Sequence, residues 1–227
     1  MQPLLDQSAA TRAKVVDLKE KLKRLKKDKA PESEISAVVG QRLATSADEF
    51  NSACEHIVRL LTDASILLEA GSHATAAFLS ITALEETAKV HIGSYRRSTT
   101  PVTRRKDPLF GHAEKHKLAL GPTVAMGSRL QAAIGEGRMS ELMALGQTGG
   151  LVRIREAALY VAQDGAGLVT PSSAVPFDTS LELLQLAIEA FDDGLVGYTS
   201  RSFELGQATD TLFSRWTAGT RSNASPI

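Results

Sequence analysis

The chain has 227 residues, with 26 Lys and Arg against 26 Asp and Glu and a formal charge of zero. That length suits one sizeable core, with or without an appendage. The charge balance excludes the overall basic excess of a general nucleic-acid binder, so any contact with RNA must be a local patch. A single cysteine, Cys54, excludes an internal disulfide and a cysteine-based zinc cluster within one chain, and its place on an apolar helix face assigns it to core packing.

No run approaches the ~18 apolar residues of a membrane span. The opening Met1-Gln-Pro-Leu-Leu-Asp6 lacks the charged-then-apolar pattern of an export signal. A cytoplasmic protein with no membrane partner is the expectation.

The first element is a basic amphipathic arm, residues 1–44. Val15, Leu18, Leu22 and Leu25 alternate three- and four-residue steps, while Arg12, Lys14, Lys19, Lys21, Lys23, Arg24, Lys26, Lys27 and Lys29 crowd the other faces. Pro31 breaks the pattern, and Glu32 and Glu34 reverse the charge. Two heptads are short for a coiled coil, so the arm is expected to pack on its own body or to pair in a dimer.

Residues 45–216 read as helices throughout, an all-α antiparallel bundle. Phe50, Cys54, Ile57, Leu61, Ala64 and Leu68 form one stripe that closes at Gly71, a helix stop. Ser72 can cap a second helix whose stripe is Ala74, Phe78, Ile81, Ala88 and Ile92. So short a turn between two long helices predicts an antiparallel hairpin. Asp107-Pro108 predicts the cap and first turn of a third helix running to about Leu120, with Gly121-Pro122 as its end.

Further helical patterns cover 123–134, 140–163 and 179–200, the last with Leu181, Leu184, Ile188, Phe191 and Leu195 on one side. Stretches 96–106 and 163–177 are rich in Ser, Thr, Pro and Gly and read as surface loops. Phe203 to Trp216 reads as a short closing helix, with Trp216 capping the core or a subunit contact, and 217–227 as a disordered tail. Strand signals are almost absent.

One residue conflicts with this pattern. Glu85 falls on the apolar stripe of the second helix, and a buried carboxylate without a partner costs several kcal/mol or takes up a proton. Lys89, one turn on, is the nearest cation; Arg155, bordering the stripe of Leu151, Ile154, Ala158 and Val161, could reach across the bundle. Glu86 lies roughly 100° further round the helix and is expected to face a neighbour or solvent. A buried ion pair that fixes helix register accounts for these residues without catalysis. If Glu85 instead faces a cleft, it could orient His112 and raise its basicity.

The run Ala76-Ala-Phe-Leu-Ser-Ile-Thr-Ala-Leu-Glu-Glu-Thr-Ala-Lys89, the later His112-Ala-Glu-Lys-His-Lys117, and Arg155-Glu-Ala-Ala-Leu-Tyr-Val161 before a Pro-containing loop resemble the AbiV branch of the HEPN superfamily. The resemblance spans about residues 45–200. It implies a helical bundle, a homodimer, action against phage by translation arrest, and recognition of a phage-encoded activator.

HEPN ribonucleases carry an Arg-x(4–6)-His pattern whose residues from two subunits meet at a dimer interface. Arg105 and His112, six residues between them, match it. The resemblance thus implies Arg105 as phosphate clamp and His112 as acid or base, with Arg96, Arg97, Arg104 and Lys106 as RNA-binding neighbours. Cleaving RNA needs a base for the 2′-hydroxyl, an acid for the leaving oxygen and a cation on the phosphate, all of which His and Arg supply without metal. Two features depart from the pattern: Lys106 follows the arginine where the family usually has Asn, Asp or His, and Pro108 interrupts the spacing.

An exposed basic loop followed by histidines is the plain alternative, and a noncatalytic binder of the translation apparatus or of a phage protein is the second functional reading. His112 and His116, one turn apart, could share a metal, but Glu114 and Glu141 offer no third ligand at a recognisable spacing. A hydrogen-bonded structural pair is expected instead, with no metal and no cofactor. The supporting polar set is therefore Glu85, Glu86, Lys89, His116 and Arg155. His56, His73 and His91 flank their stripes, and Tyr160 is expected to pack against the loop that follows it.

Overall fold

The computed structural model describes residues 44, 46–95, 107–121, 128–165 and 167–222. The basic arm, apart from Ala44, lies outside this range, as do Arg96, Arg97, Arg104, Arg105 and Lys106. The described residues form nine α-helices and one short hairpin, so the all-α expectation holds.

Helix α1, Ala47–Glu69, begins at Ser46, whose Oγ accepts the Glu49 N–H at 3.2 Å, and carries Asp48 and Glu49 in its first turn, where the helix dipole favours negative charge. Its stripe from Phe50 to Leu68 is buried as the periodicity predicts. Gly71 closes the turn at φ 77°, a left-handed conformation that a Cβ would strain. Helix α2, His73–Tyr95, then returns along α1. Ser72 does not cap it through a backbone amide; its hydroxyl donates to Thr75 Oγ1 at 3.2 Å.

Helix α2 is the centre of the bundle and buries more than the single stripe expected. Ala76, Ala77, Ala83 and Leu84 join Ala74, Ile81 and Ala88 in the core, because further helices cover it from other sides. Small residues there let those helices approach closely. The hydroxyls this burial would strand are satisfied within the helix: Ser80 Oγ donates to Ala76 O and Thr87 Oγ1 to Ala83 O, both at 2.9 Å.

The third predicted helix is divided. Pro108–Phe110 form a single 3-10 turn, in which Asp107 Oδ1 accepts the Leu109 N–H at 3.0 Å. Gly111 is extended, and α3 runs only from His112 to Ala119. Helix α4, Ser128–Ile134, follows. The expected 140–163 helix is also two, α5 (Glu136–Thr148) and α6 (Gly150–Ala157), separated at Gly149 with φ 76°. Such a glycine stops one helix in the left-handed region before the next can start.

After α6 come two strands that the sequence pattern did not show. β1 (Ala162–Asp164) pairs antiparallel with β2 (Gly167–Val169), with Gln163 opposite Leu168. Three residues per strand are too few for an alternation to be read, and Asp164 Oδ1 closes the turn by accepting the Gly167 N–H at 3.0 Å. Pro171–Ala174 form the one-turn helix α7.

Helix α8, Phe177–Leu195, starts and ends earlier than the predicted 179–200 and is buried along nearly its whole length, including Leu181, Leu184, Leu186, Ile188, Phe191 and Leu195. It packs mainly on α2. Each such side chain removed from water contributes about 1.5–3 kcal/mol. Helix α9 spans Ser200–Ser222, longer at both ends than the short helix expected, so residues 217–222 of the supposed tail are helical. Reciprocal bonds start it: Thr199 Oγ1 accepts the Ser202 N–H and Ser202 Oγ the Thr199 N–H, both at 3.0 Å. Phe213 is buried and Trp216 Nε1 donates to Ser65 Oγ at 2.9 Å, which docks the helix on α1 well past its middle and lets it propagate.

Cys54 is buried on α1, and burial with the charge of Glu55 pushes its thiol up to about 12, in keeping with a packing role. Among the described residues no helix is long and apolar enough to cross a membrane.

A second polar cluster ties α4, α8 and α9 together. Arg129 bonds Glu189, Asp192 (Nη2 to Oδ2, 2.6 Å) and Asp210, and its guanidinium lies 4.2 Å from the centre of the Phe213 ring. One guanidinium cannot neutralise three carboxylates. Burial, reinforced by the charge of Asp210, pushes Asp192 up to about 6 against the hydrogen bonds from Thr209 and Arg129 and the charge of Arg129.

Candidate functional site

Glu85 points from α2 into the interface with α3 and is only 3% exposed. Helix α3 presents His112, Lys115 and His116 at positions i, i+3 and i+4, which lie on one face. All three converge on this carboxylate. His112 Nδ1 is 2.7 Å from Oε1 and 2.8 Å from Oε2, His116 Nε2 is 3.1 Å from Oε1, and Lys115 Nζ bonds Oε2.

Burial alone would raise the Glu85 carboxyl, but the hydrogen bond from His116, the hydrogen bond and charge of Lys115, and the hydrogen bond from His112 hold it down at about 2. It is therefore ionised at neutral pH and can only accept. Each histidine must turn an N–H toward it, Nδ1–H from His112 and Nε2–H from His116.

The two imidazoles then differ in kind. His116 is fully buried and its Nδ1 has no partner, so it is a fixed part of the core. The His112 side chain is 44% exposed, and no hydrogen bond engages its Nε2 among the described residues. With Nδ1–H held by a carboxylate, a neutral His112 offers a lone pair at Nε2 and a preset ring orientation. A general base or acid has this arrangement.

Arg155, in the last turn of α6, completes the cluster. Its Nε lies 3.6 Å from Glu85 Oε1, near enough for an ion pair and too far for a hydrogen bond, and its guanidinium sits 4.9 Å from the centre of the Phe78 ring. The expected reach from Arg155 to Glu85 across the bundle is thus observed.

Other expectations change. Lys89 does not partner Glu85; its Nζ bonds Glu86, and both side chains are partly buried. A lysine four residues on lies along its own helix surface, whereas Glu85 points at the facing helix. His112 and His116 are structural companions only through their shared carboxylate, and do not bond each other. Tyr160, expected to pack on the following loop, is 65% exposed. His73 stacks edge-on to Phe177, while His56 is exposed and His91 partly buried, as flank positions should be.

Lys115 escaped sequence reasoning, although its register with His112 and His116 was the available signal. Arg105 and the basic residues around it lie outside the described residues. Among those described, no group of three or more His, Cys, Asp or Glu side chains is arranged to hold a metal ion.

A family model described as AbiV, of the HEPN class, matches residues 46–191, more than half of the chain and the stretch from the start of α1 through most of α8. No curated protein and no solved structure matches it. The matched region contains Glu85, His112, Lys115, His116 and Arg155 together. The helical bundle, the polar cluster at its centre and this match agree: the chain belongs to the AbiV family of HEPN proteins, whose function is of the abortive-infection type.

Proposed function

We propose that this protein acts in the cytoplasm against phage by blocking translation, as a metal-independent ribonuclease that works as a homodimer. His112 takes the proton of an RNA 2′-hydroxyl at Nε2, and the freed oxygen attacks the adjacent phosphorus. The 5′-oxygen leaves with a proton from His112 of the second protomer, and a cyclic phosphate remains. Arg105 clamps the phosphate, and Arg96, Arg97, Arg104 and Lys106 guide the strand. A phage-encoded protein triggers the activity.

The observation that carries this reading is the half-exposed ring of His112 with Nδ1 2.7 Å from a buried, ionised carboxylate. The test is incubation of the purified protein with total RNA in EDTA, beside folded, dimeric His112→Ala and Arg105→Ala variants. Cleavage by the wild type that both variants lose is the expected result. Intact RNA, even after addition of an infected-cell extract, would overturn it.

One feature favours a noncatalytic binder instead. Leu159, Tyr160, Val161 and Leu168 expose large apolar surface around the hairpin, Leu168 being 72% exposed. The register places Val161 and Leu168 on the same hairpin face. Exposed apolar side chains grouped on one face mark contact sites for other proteins, here the translation apparatus or a phage protein. Loss of phage protection on changing Tyr160 and Leu168 to Ser, with no RNA cleavage by the wild type, supports that reading.

A further inference from the structure

We infer that Arg155 and His112 together form a seat for a phosphate-class oxyanion, in which Arg155 is the cation that holds the ligand. The accounting of Glu85 leads there. Its Oε1 accepts from His112 and His116, and its Oε2 from Lys115 and again from His112. The single N–H of His112 is shared between the two oxygens, so three donors bond the carboxylate and Arg155 is not among them. Arg155 is left over. Its Nε is buried without a hydrogen bond, and no nitrogen of its guanidinium makes one among the described residues.

Charge points the same way. Lys115 and Arg155 bring two fixed positive charges to one carboxylate before either imidazole takes a proton, so the cluster carries a surplus that an anion would balance. Lys115 is buried and spent on Oε2. Arg155 is 22% exposed and can reach a ligand.

Its guanidinium lies over the Phe78 ring, which limits the plane in which its donors fan out. Paired, parallel N–H donors suit two oxygens of a phosphate better than a point charge does. His112 and Arg155 stand against the same oxygen, Oε1, so a phosphate bonded by the arginine lies beside the exposed ring of His112.

This assignment deepens the reading of His112 as the reacting group and adds a second cation to the one that reading takes from Arg105. It can be tested without any cleavage. Ring resonances of the five histidines are followed by NMR in the full-length protein, with the His112→Ala spectrum assigning the signal. Inorganic phosphate is titrated against chloride at equal ionic strength, and a 2′-O-methyl RNA oligonucleotide, which cannot be cleaved, is titrated in parallel.

A saturable shift of the His112 signal is expected with at least one probe, and which probe acts more tightly says whether free phosphate or an RNA backbone is the ligand. Arg155→Met, which keeps an apolar stem over Phe78, should weaken that binding by about tenfold or more. Arg155→Lys, which keeps the charge and loses the fork, should bind more weakly than wild type and serves alone if the methionine variant does not fold. No saturable shift in the wild type overturns the seat, as does equal affinity in wild type and either folded variant. An Arg155-dependent shift in a protein that cleaves no RNA upholds the seat and removes the nuclease. Cleavage without the shift does the reverse.

Discussion

Glu85 and His112, 27 residues apart in sequence, are joined by one ring nitrogen that reaches both carboxylate oxygens, at 2.7 and 2.8 Å. The pairing sets the tautomer of an exposed imidazole from inside the core. A half-exposed side chain of α3 is thereby tied to a buried group of α2.

Removing the ring tests its role directly. His112→Ala should lower RNA cleavage by about 100-fold or more, the usual worth of a general acid or base. Because the ring is half exposed, the cost in stability should stay below about 2 kcal/mol. Cleavage at the wild-type rate in a folded variant would remove His112 from the mechanism.

Glu85→Gln strands the ammonium of Lys115 in the core, and breaking such a pair costs about 3–5 kcal/mol. Adding Lys115→Met to that variant should return part of the loss, since the stranded charge is gone. Urea unfolding of the two single variants and the double variant measures the coupling. Strictly additive effects would show that the two groups do not interact.

Acid should act on the same carboxylate. Its value of about 2 in the folded protein lies below the ordinary 4.5, so the native state binds fewer protons than the unfolded chain between those limits. The stabilisation, of the order of 3 kcal/mol, is complete above pH 4.5 and disappears as pH falls toward 2. Melting temperatures of wild type and Glu85→Gln, far apart at pH 6, should converge by pH 2. A gap independent of pH would contradict the assignment.

Asp192 has the opposite sign. Raised to about 6 from 3.8, it makes the native state bind more protons than the unfolded chain in that interval. Its contribution is greatest below pH 3.8 and is lost as pH rises through 6, a change of the order of 3 kcal/mol. Relative to Asp192→Asn, whose amide does not titrate, the wild type should lose stability between pH 4 and 7. Parallel melting curves for the two proteins across that range would show that Asp192 titrates normally.

Trp216→Phe removes the Nε1–H that bonds Ser65 at 2.9 Å while keeping an aromatic ring beside Phe177. The expected loss is about 1 kcal/mol, the net worth of one hydrogen bond. Chemical denaturation measures it, and an unchanged midpoint would mean that this hydrogen bond adds nothing to stability.

Local periodicity was enough for α1. Its stripe from Phe50 to Leu68 needs one apolar face every 3.6 residues, and Gly71 supplies a stop by its own backbone freedom. The same reasoning found α8. It failed at Gly149, where a single left-handed residue splits one periodic run into α5 and α6, and at the hairpin, whose strands are too short to show a period.

The sequence by itself determined that a carboxylate, Glu85, would sit inside a helical core, because its place on an apolar stripe depends only on the spacing of its own helix. Tertiary structure alone decided which groups answer that charge. Lys89 is four residues away and bonds Glu86; the donors come instead from α3, and α6 adds the charge of Arg155 at 3.6 Å without a hydrogen bond. Electrostatic pairing depends on distance through space, and the register of one packed helix against another is set by the whole core, not by the neighbours of any one residue.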